Sequence, residues 1–307
     1  MAVILAGGLG TRIQHLLPNL PKPMAPVRGR PCLEWLVRYL AGQGIRRILI
    51  STGHLSEVIE RHFATNPVPG VNVRCVPEPQ PLGTGGGFLN AVQASGETAA
   101  GWLVLNGDTF ALAKLSQAIA ALENDATAGV IYARAVADTS RYGSLVTDAS
   151  GNLVRFEEKR PGQGLISAGV YLFRDTLVRT FPERWPLSAG LKTVASAILA
   201  DVEPGFQPGG KIPATEKGLV KSERRRPTND FSGRQDAALY GRPGGPPLLF
   251  KPLSLERDVF PALTSAGALI KVLPMATPFL DIGTPETLPA AEPFIRDHLA
   301  WFGPLPL

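Results

Sequence analysis

Four short strand-like runs near the start of the chain, residues 2–6 (AVILA), 46–52 (RRILIST), 71–76 (VNVRCV) and 102–109 (WLVLNGDT), restrict the possible folds more than any other feature. A continuous apolar run of strand length must be covered on both faces, which a parallel sheet with helices on either side provides. The intervening segments have helical spacing: Leu33, Leu36, Val37 and Leu40 recur with Pro31 at the start and Gly42 and Gly44 past the end, and residues 55–63 and 86–94 also read as helices. The alternation predicts an α/β fold, a doubly wound and mostly parallel sheet with ligands at the carboxyl ends of its strands.

After about residue 125 the pattern changes. "AGVIYARAV", "YGSLVTD", "GNLVRFEEK" and "LISAGVYLF" read as strands separated by turn signals such as Ala149-Ser150-Gly151-Asn152. Residues 205–247 are crowded with Gly, Pro, Lys and Arg and lack an apolar period, so they read as an irregular or disordered insertion. Order is expected to resume at "PLSLERDVFPAL", a helix candidate, followed by "ALIKVLP" and "PFLDIGTPET".

With 307 residues, 44% of them hydrophobic and 19% charged, the chain has room for one large α/β domain or two smaller ones. The net charge of +5 is spread along the sequence apart from Glu223-Arg224-Arg225-Arg226, which reads as a solvated stretch. We expect a bias toward small anions and no nucleic-acid partner. Cys32 and Cys75 lack metal-ligand spacing and read as reduced core thiols. His15, His54, His62 and His298 share no spacing that suggests a metal or a triad. The N-terminus lacks a secretory pattern and no apolar run is long enough to span a bilayer, so the expected location is cytoplasmic, with no membrane partner.

The stretch "LAGGLGTRIQHLLPNLPKPM" is the first candidate for chemistry. Gly7, Gly8 and Gly10 would let backbone N–H groups approach phosphate oxygens after a buried strand. The turn lacks the marks of a dinucleotide site, because no carboxylate ends the second strand, and of a P-loop, because Thr11-Arg12 follows Gly10. A tight turn without a ligand stays open on glycines alone. Arg12 adds a planar fork for phosphate oxygens, and Lys22, set between Pro21 and Pro23, adds a cation whose backbone is fixed in advance.

"AGGLGTR" followed by "PKPMAPV" resembles the signature loop of sugar-1-phosphate nucleotidyltransferases. "PLGTGGG", "VLNGDTF", "SRYGSLV", "FEEK", "SAGVYLF" and "FLDIGTPE" follow in the family's order, so the resemblance covers most of the chain outside the insertion. The loop wording is most similar to the D-glycero-α-D-manno-heptose 1-phosphate guanylyltransferase branch. The resemblance implies a Rossmann-like sheet of the nucleotide-diphospho-sugar transferase type, with a nucleotide-binding half at 1–125 and a β-rich sugar-phosphate-binding half at 126–307. It implies transfer of a nucleotide from a nucleoside triphosphate, GTP by best expectation, to a sugar 1-phosphate with release of pyrophosphate. Transfer to mannose or glucose 1-phosphate, or a non-catalytic nucleotide-sugar sensor, are the alternatives.

Carried over by position, the resemblance implies that Ala6, Gly7, Gly8, Gly10, Thr11 and Arg12 hold the triphosphate and that Lys22 contacts phosphates in the transition state. Gly83 and Thr84 would lie against base and ribose, with Glu78 nearby. Asp108 and Asp281 would hold Mg²⁺. Read from the residues alone, Asp108 after an apolar strand is either a hard-cation ligand or a cap for a helix starting near Ala113, and Asp281 is a ligand or a turn residue. Gly143, Glu157, Glu158, Lys159, Ser167 and Gly169 are implied for the sugar phosphate. Ser167 stands where the family more often has Asn, and Gln14 where many members have a second Arg.

Overall fold

The first strand, β1 (Ala2–Ala6), is flanked in parallel by β2 (Arg47–Thr52) and β4 (Gly101–Asn106), with β3 (Asn72–Pro77) parallel to β2 at the edge. This computed structural model describes residues 1–140, 143–157, 161–181 and 252–303. The insertion expected at 205–247 lies outside the described residues, as do Glu158 and Lys159. Beyond β4 the sheet continues with antiparallel β9 (Gly164–Arg174), then β6 (Thr127–Val136), antiparallel to β9, and β10 (Leu269–Pro274), parallel to β6. β7 (Ser144–Thr147) and β8 (Leu153–Glu157) extend from the first residues of β9, giving a nine-stranded sheet.

The continuous apolar runs are explained by two cores, one on each face. Ile4, Ile48, Ile50, Leu103 and Leu105 face the core that receives Trp35, Leu36 and Leu40 of α1 (Cys32–Gly42). Their neighbours Val3, Leu49 and Val104 face Phe88 and Leu89 of α3 (Gly83–Ser95) together with Phe173 and Phe260. Side chains alternate across a strand, so a run that fills both cores, as residues 2–6 do, must be apolar at every position. α2 (Ser56–Thr65) joins β2 to β3 and packs its buried Ile59 and Phe63 into the first core.

The strand expected over 102–109 ends at Asn106. After Gly107 and Asp108 the chain forms the separate strand β5 (Thr109–Ala111), paired antiparallel with β11 (Phe279–Asp281). A Cβ at Gly107 would lie 2.6 Å from the Leu5 carbonyl oxygen, so a close approach of the chain to β1 marks the break. Helix α4 (Leu115–Ala121) follows, with extended Lys114 at its N-cap position, so Asp108 does not cap it. The helix expected over 86–94 starts earlier, at Gly83. The segment after 252 forms a π-turn, Leu255–Val259, continuing into α5 (Phe260–Ser265), and α6 (Ala291–Asp297) lies near the end.

Cys32 and Cys75 are free, and burial pushes both thiols up to about 12. Among the described residues no helix is long and apolar enough to cross a membrane.

Candidate active site

The parallel strands β1, β2, β3 and β4 end at Ala6, Thr52, Pro77 and Asn106 on one edge of the sheet, where an open α/β sheet forms its ligand crevice. The glycine-rich turn leaves β1 there. Gly10 takes a φ of +60°, and a Cβ on it would stand 2.9 Å from the Lys22 Cβ, so glycine is required for the turn to approach Lys22. Gly8 faces open space, with nothing within 4 Å of a Cβ position. Buried Ile13 and Leu17 anchor the next turns, while Thr11 and Arg12 stay exposed. Among the described residues no hydrogen bond or ion pair holds the Arg12 guanidinium. Lys22 opens a single 3₁₀ turn, Lys22–Met24, closed by Met24 N donating to Pro21 O at 2.8 Å and anchored by buried Pro23 and Met24.

The Lys22 side chain crosses to Asp108, with Nζ 2.6 Å from Oδ2. The lysine is 12% exposed and the aspartate 38%. The β5–β11 ribbon brings the second carboxylate in: Asp281 pairs opposite Thr109, and the Ile282 N–H donates to the Asp108 carbonyl at 3.0 Å. Gly283 N donates to Asp281 Oδ1 at 2.7 Å, so Asp281 also serves as the turn residue its sequence position suggested. Burial raises the Asp281 carboxyl above its ordinary value and the Asp108 charge raises it further, while Lys22, the Gly283 N–H and Arg12 oppose the shift. Two carboxylates that repel each other beside a cation form a place where added positive charge is favoured. Among the described residues no group of three or more His, Cys, Asp or Glu could cage a metal. Two oxygen-donor side chains suit a cation that keeps waters and takes phosphate oxygens, as Mg²⁺ does.

Glu78 is directed into the protein. Its Oε1 accepts from Ser51 Oγ at 2.9 Å and its Oε2 from Leu82 N at 3.0 Å, and its carboxylate packs where a Gly7 Cβ would stand. Burial raises its pKa, and those two hydrogen bonds oppose the rise. The carboxylate therefore ties the glycine turn to the start of α3. Gly83 has a φ of +76°, and a Cβ there would lie 2.6 Å from the Leu253 carbonyl oxygen. The Thr84 hydroxyl accepts from Leu255 N at 2.9 Å. Both residues are thus held by the chain entering the π-turn, Gly83 by Leu253 and Thr84 by Leu255.

β9, paired antiparallel with β4, carries Ser167 and Gly169. Gly169 has a φ of +70°, and its Cα faces the Asn106 amide, 2.7 Å from a Cβ position. Ser167 Oγ accepts from Gly169 N at 3.2 Å and donates to Tyr171 Oη at 3.0 Å, and the fully buried Tyr171 donates to Glu256. Gly143 packs beside the Glu157 backbone, and Glu157 accepts from the exposed Arg155 at 2.6 Å. Sequence reasoning missed Tyr171, Glu256 and Asn106. Tyr171 and Asn106 lay within quoted motifs, but Glu256 gave no signal beyond being a polar residue in a helix candidate.

The protein-family model described as "Nucleotidyl transferase" matches residues 1–202. D-glycero-alpha-D-manno-heptose 1-phosphate guanylyltransferase of Campylobacter jejuni is 35% identical over 181 residues, covering 59% of this chain and 78% of that protein. Mannose-1-phosphate guanylyltransferase of Mycobacterium tuberculosis is 34% identical over 203 residues, covering 65% of this chain and 55% of that one. A crystal structure of HddC from Yersinia pseudotuberculosis complexed with GMP-PN superposes with a TM-score of 0.63 at 27% identity, covering 94% of this chain and 96% of that one.

Proposed function

The chain belongs to the nucleotidyl transferase family, and from that premise we propose that it joins a sugar 1-phosphate to a nucleoside triphosphate, giving a nucleotide sugar and pyrophosphate. D-glycero-α-D-manno-heptose 1-phosphate and GTP are the preferred pair, supported by the names of the relatives in Campylobacter jejuni and Aneurinibacillus thermoaerophilus. Mannose 1-phosphate is the second reading, supported by the mycobacterial relative. The observation that carries the chemistry is the cluster of Lys22, Asp108 and Asp281 beside a glycine turn at the mouth of β1 and β4.

In this reading an oxygen of the sugar phosphate attacks the α-phosphorus, the α–β bridging P–O bond breaks, and pyrophosphate leaves in line. The attacking phosphate is already ionised near neutral pH, so the step needs no general base. That matches a cluster built of cations and carboxylates. Gly7, Gly8, Gly10, Thr11 and Arg12 are assigned to the triphosphate, Gly83 and Thr84 to base and ribose, and Gly143, Glu157, Ser167 and Gly169 to the sugar phosphate. Glu78 shapes the turn that binds. Glu158 and Lys159 keep their assignment to the sugar phosphate from the motif. Lys22 is preorganised by its prolines, so its charge stands ready where negative charge develops. Asp108 and Asp281 would hold Mg²⁺, which when bound neutralises phosphate charge. A cytoplasmic setting is part of the same reading.

Pyrophosphate release across four nucleoside triphosphates and several sugar 1-phosphates tests it. Signal with GTP and the manno-heptose phosphate is expected. Turnover with another pair replaces the substrates, and bound nucleotide without turnover anywhere replaces the enzyme with a sensor.

A further inference from the structure

A directed chain of hydrogen bonds runs from β9 to the π-turn. Ser167 pairs with Ala133 of β6 whereas Tyr171 pairs with Ile131, so β9 carries a bulge between them, with Gly169 in the left-handed region. The bulge brings the two hydroxyls to 3.0 Å. Beyond Tyr171 stands Glu256, whose Oε2 accepts from Ser254 Oγ at 3.3 Å, while Ser254 Oγ itself accepts from Arg257 N at 3.2 Å.

The direction of this chain is forced. A carboxylate only accepts, so the single Tyr171 proton goes to Glu256. Ser167 must then donate its proton to Tyr171, and Gly169 N–H occupies one of its lone pairs. Ser167 Oγ, half-buried and two residues from the Gly169 that packs on Asn106 at the end of β4, is left with one acceptor position and no proton to offer. An Asn at this position would present both a donor and an acceptor.

We propose that Tyr171 and Glu256 are positioning residues that fix Ser167 as a pure acceptor, so that the site selects a sugar whose ring hydroxyl facing Ser167 donates. This deepens the proposed function and rests on its assignment of Ser167 to the sugar side. Burial and the Glu256 charge raise the Tyr171 phenol well above its ordinary value, consistent with a hydroxyl that stays protonated.

The test uses the full-length protein and single-site deoxyfluoro analogues of its sugar 1-phosphate, because fluorine occupies the space of a hydroxyl but cannot donate. For wild type, kcat/KM should fall about 10-fold or more at one ring position, the effect of leaving a polar partner unpaired. Tyr171→Phe keeps the ring against Phe173 and Phe260 but frees the Ser167 proton. At that ring position its ratio of parent to fluoro substrate should shrink to about 2-fold, with KM for the triphosphate unchanged. Glu256→Gln presents a donor as well as an acceptor to Tyr171, so the direction is no longer forced and the ratio should fall between those of wild type and Tyr171→Phe. Equal ratios in wild type and Tyr171→Phe at every position, or no discrimination in wild type, overturn the inference while leaving the transferase reading intact. Absence of turnover with every sugar 1-phosphate overturns both.

Discussion

Lys22 Nζ lies 2.6 Å from Asp108 Oδ2, linking the glycine-rich turn side of the site to the carboxylate side. The pairing joins the first residue of a 3₁₀ turn, set between two prolines, to the second of the two residues between β4 and β5. Lys22→Ala removes a charge that stabilises developing negative charge and leaves Asp108 without its partner. We expect kcat to fall about 100- to 1000-fold while the dissociation constant for the triphosphate changes far less. Steady-state kinetics alongside equilibrium nucleotide binding separates the two, and equal losses in both would refute the transition-state role.

Asp281→Asn should trade activity for stability. The Asp281 carboxyl has a folded-state pKa above its ordinary 3.8, chiefly from burial and then from Asp108. A group raised in this way favours folding while protonated, and that contribution is lost as pH rises through the folded-state value. The amide variant should therefore melt higher than wild type at pH 7, and its advantage should shrink as pH falls toward 3.8. Thermal melts at several pH values check this, and a lower melting temperature at pH 7 would contradict it. Turnover should be lost in the same variant.

Gly283 sits between the two reactive side chains. A Cβ there would lie 2.7 Å from Asp281 Oδ1 and 3.2 Å from Lys22 Nζ. Gly283→Ala should leave the fold in place but displace both groups, lowering kcat roughly 10- to 100-fold. Wild-type turnover in a folded Gly283→Ala protein would show that the spacing has no catalytic weight.

Away from the site, Glu34 of α1 is 3% exposed and accepts from Arg30 at 2.6 Å, Arg38 at 2.8 Å and His62 of α2 at 3.0 Å. Replacing it with Ala strands the buried Arg38 guanidinium, and losing one partner of a buried network costs about 3–5 kcal/mol. Denaturant unfolding should show that loss, and a change below about 1 kcal/mol, the scale of an exposed pair, would contradict it.

The inner parallel strands were legible because they are buried on both faces: Val3 and Ile4 serve different cores, so the run "AVILA" has no polar gap. Lys22 was legible because prolines mark its turn. The pairing of Asp108 with Asp281 carried no spacing signal, since a three-residue ribbon far apart in sequence brings them together, and strands that short have no periodicity. Tyr171 and Glu256 escaped for the same reason, as they meet across the insertion. The Glu34 cluster was hidden among the apolar positions of α1, where Leu33, Leu36, Val37 and Leu40 dominate the pattern.

Pyrophosphate release by wild type and Asp108→Asn, with GTP, manno-heptose 1-phosphate and Mg²⁺, tests the central claim most directly. The account predicts steady release by wild type and a loss of about 100-fold or more in a variant with an unchanged circular dichroism spectrum. Undiminished release by Asp108→Asn would contradict it.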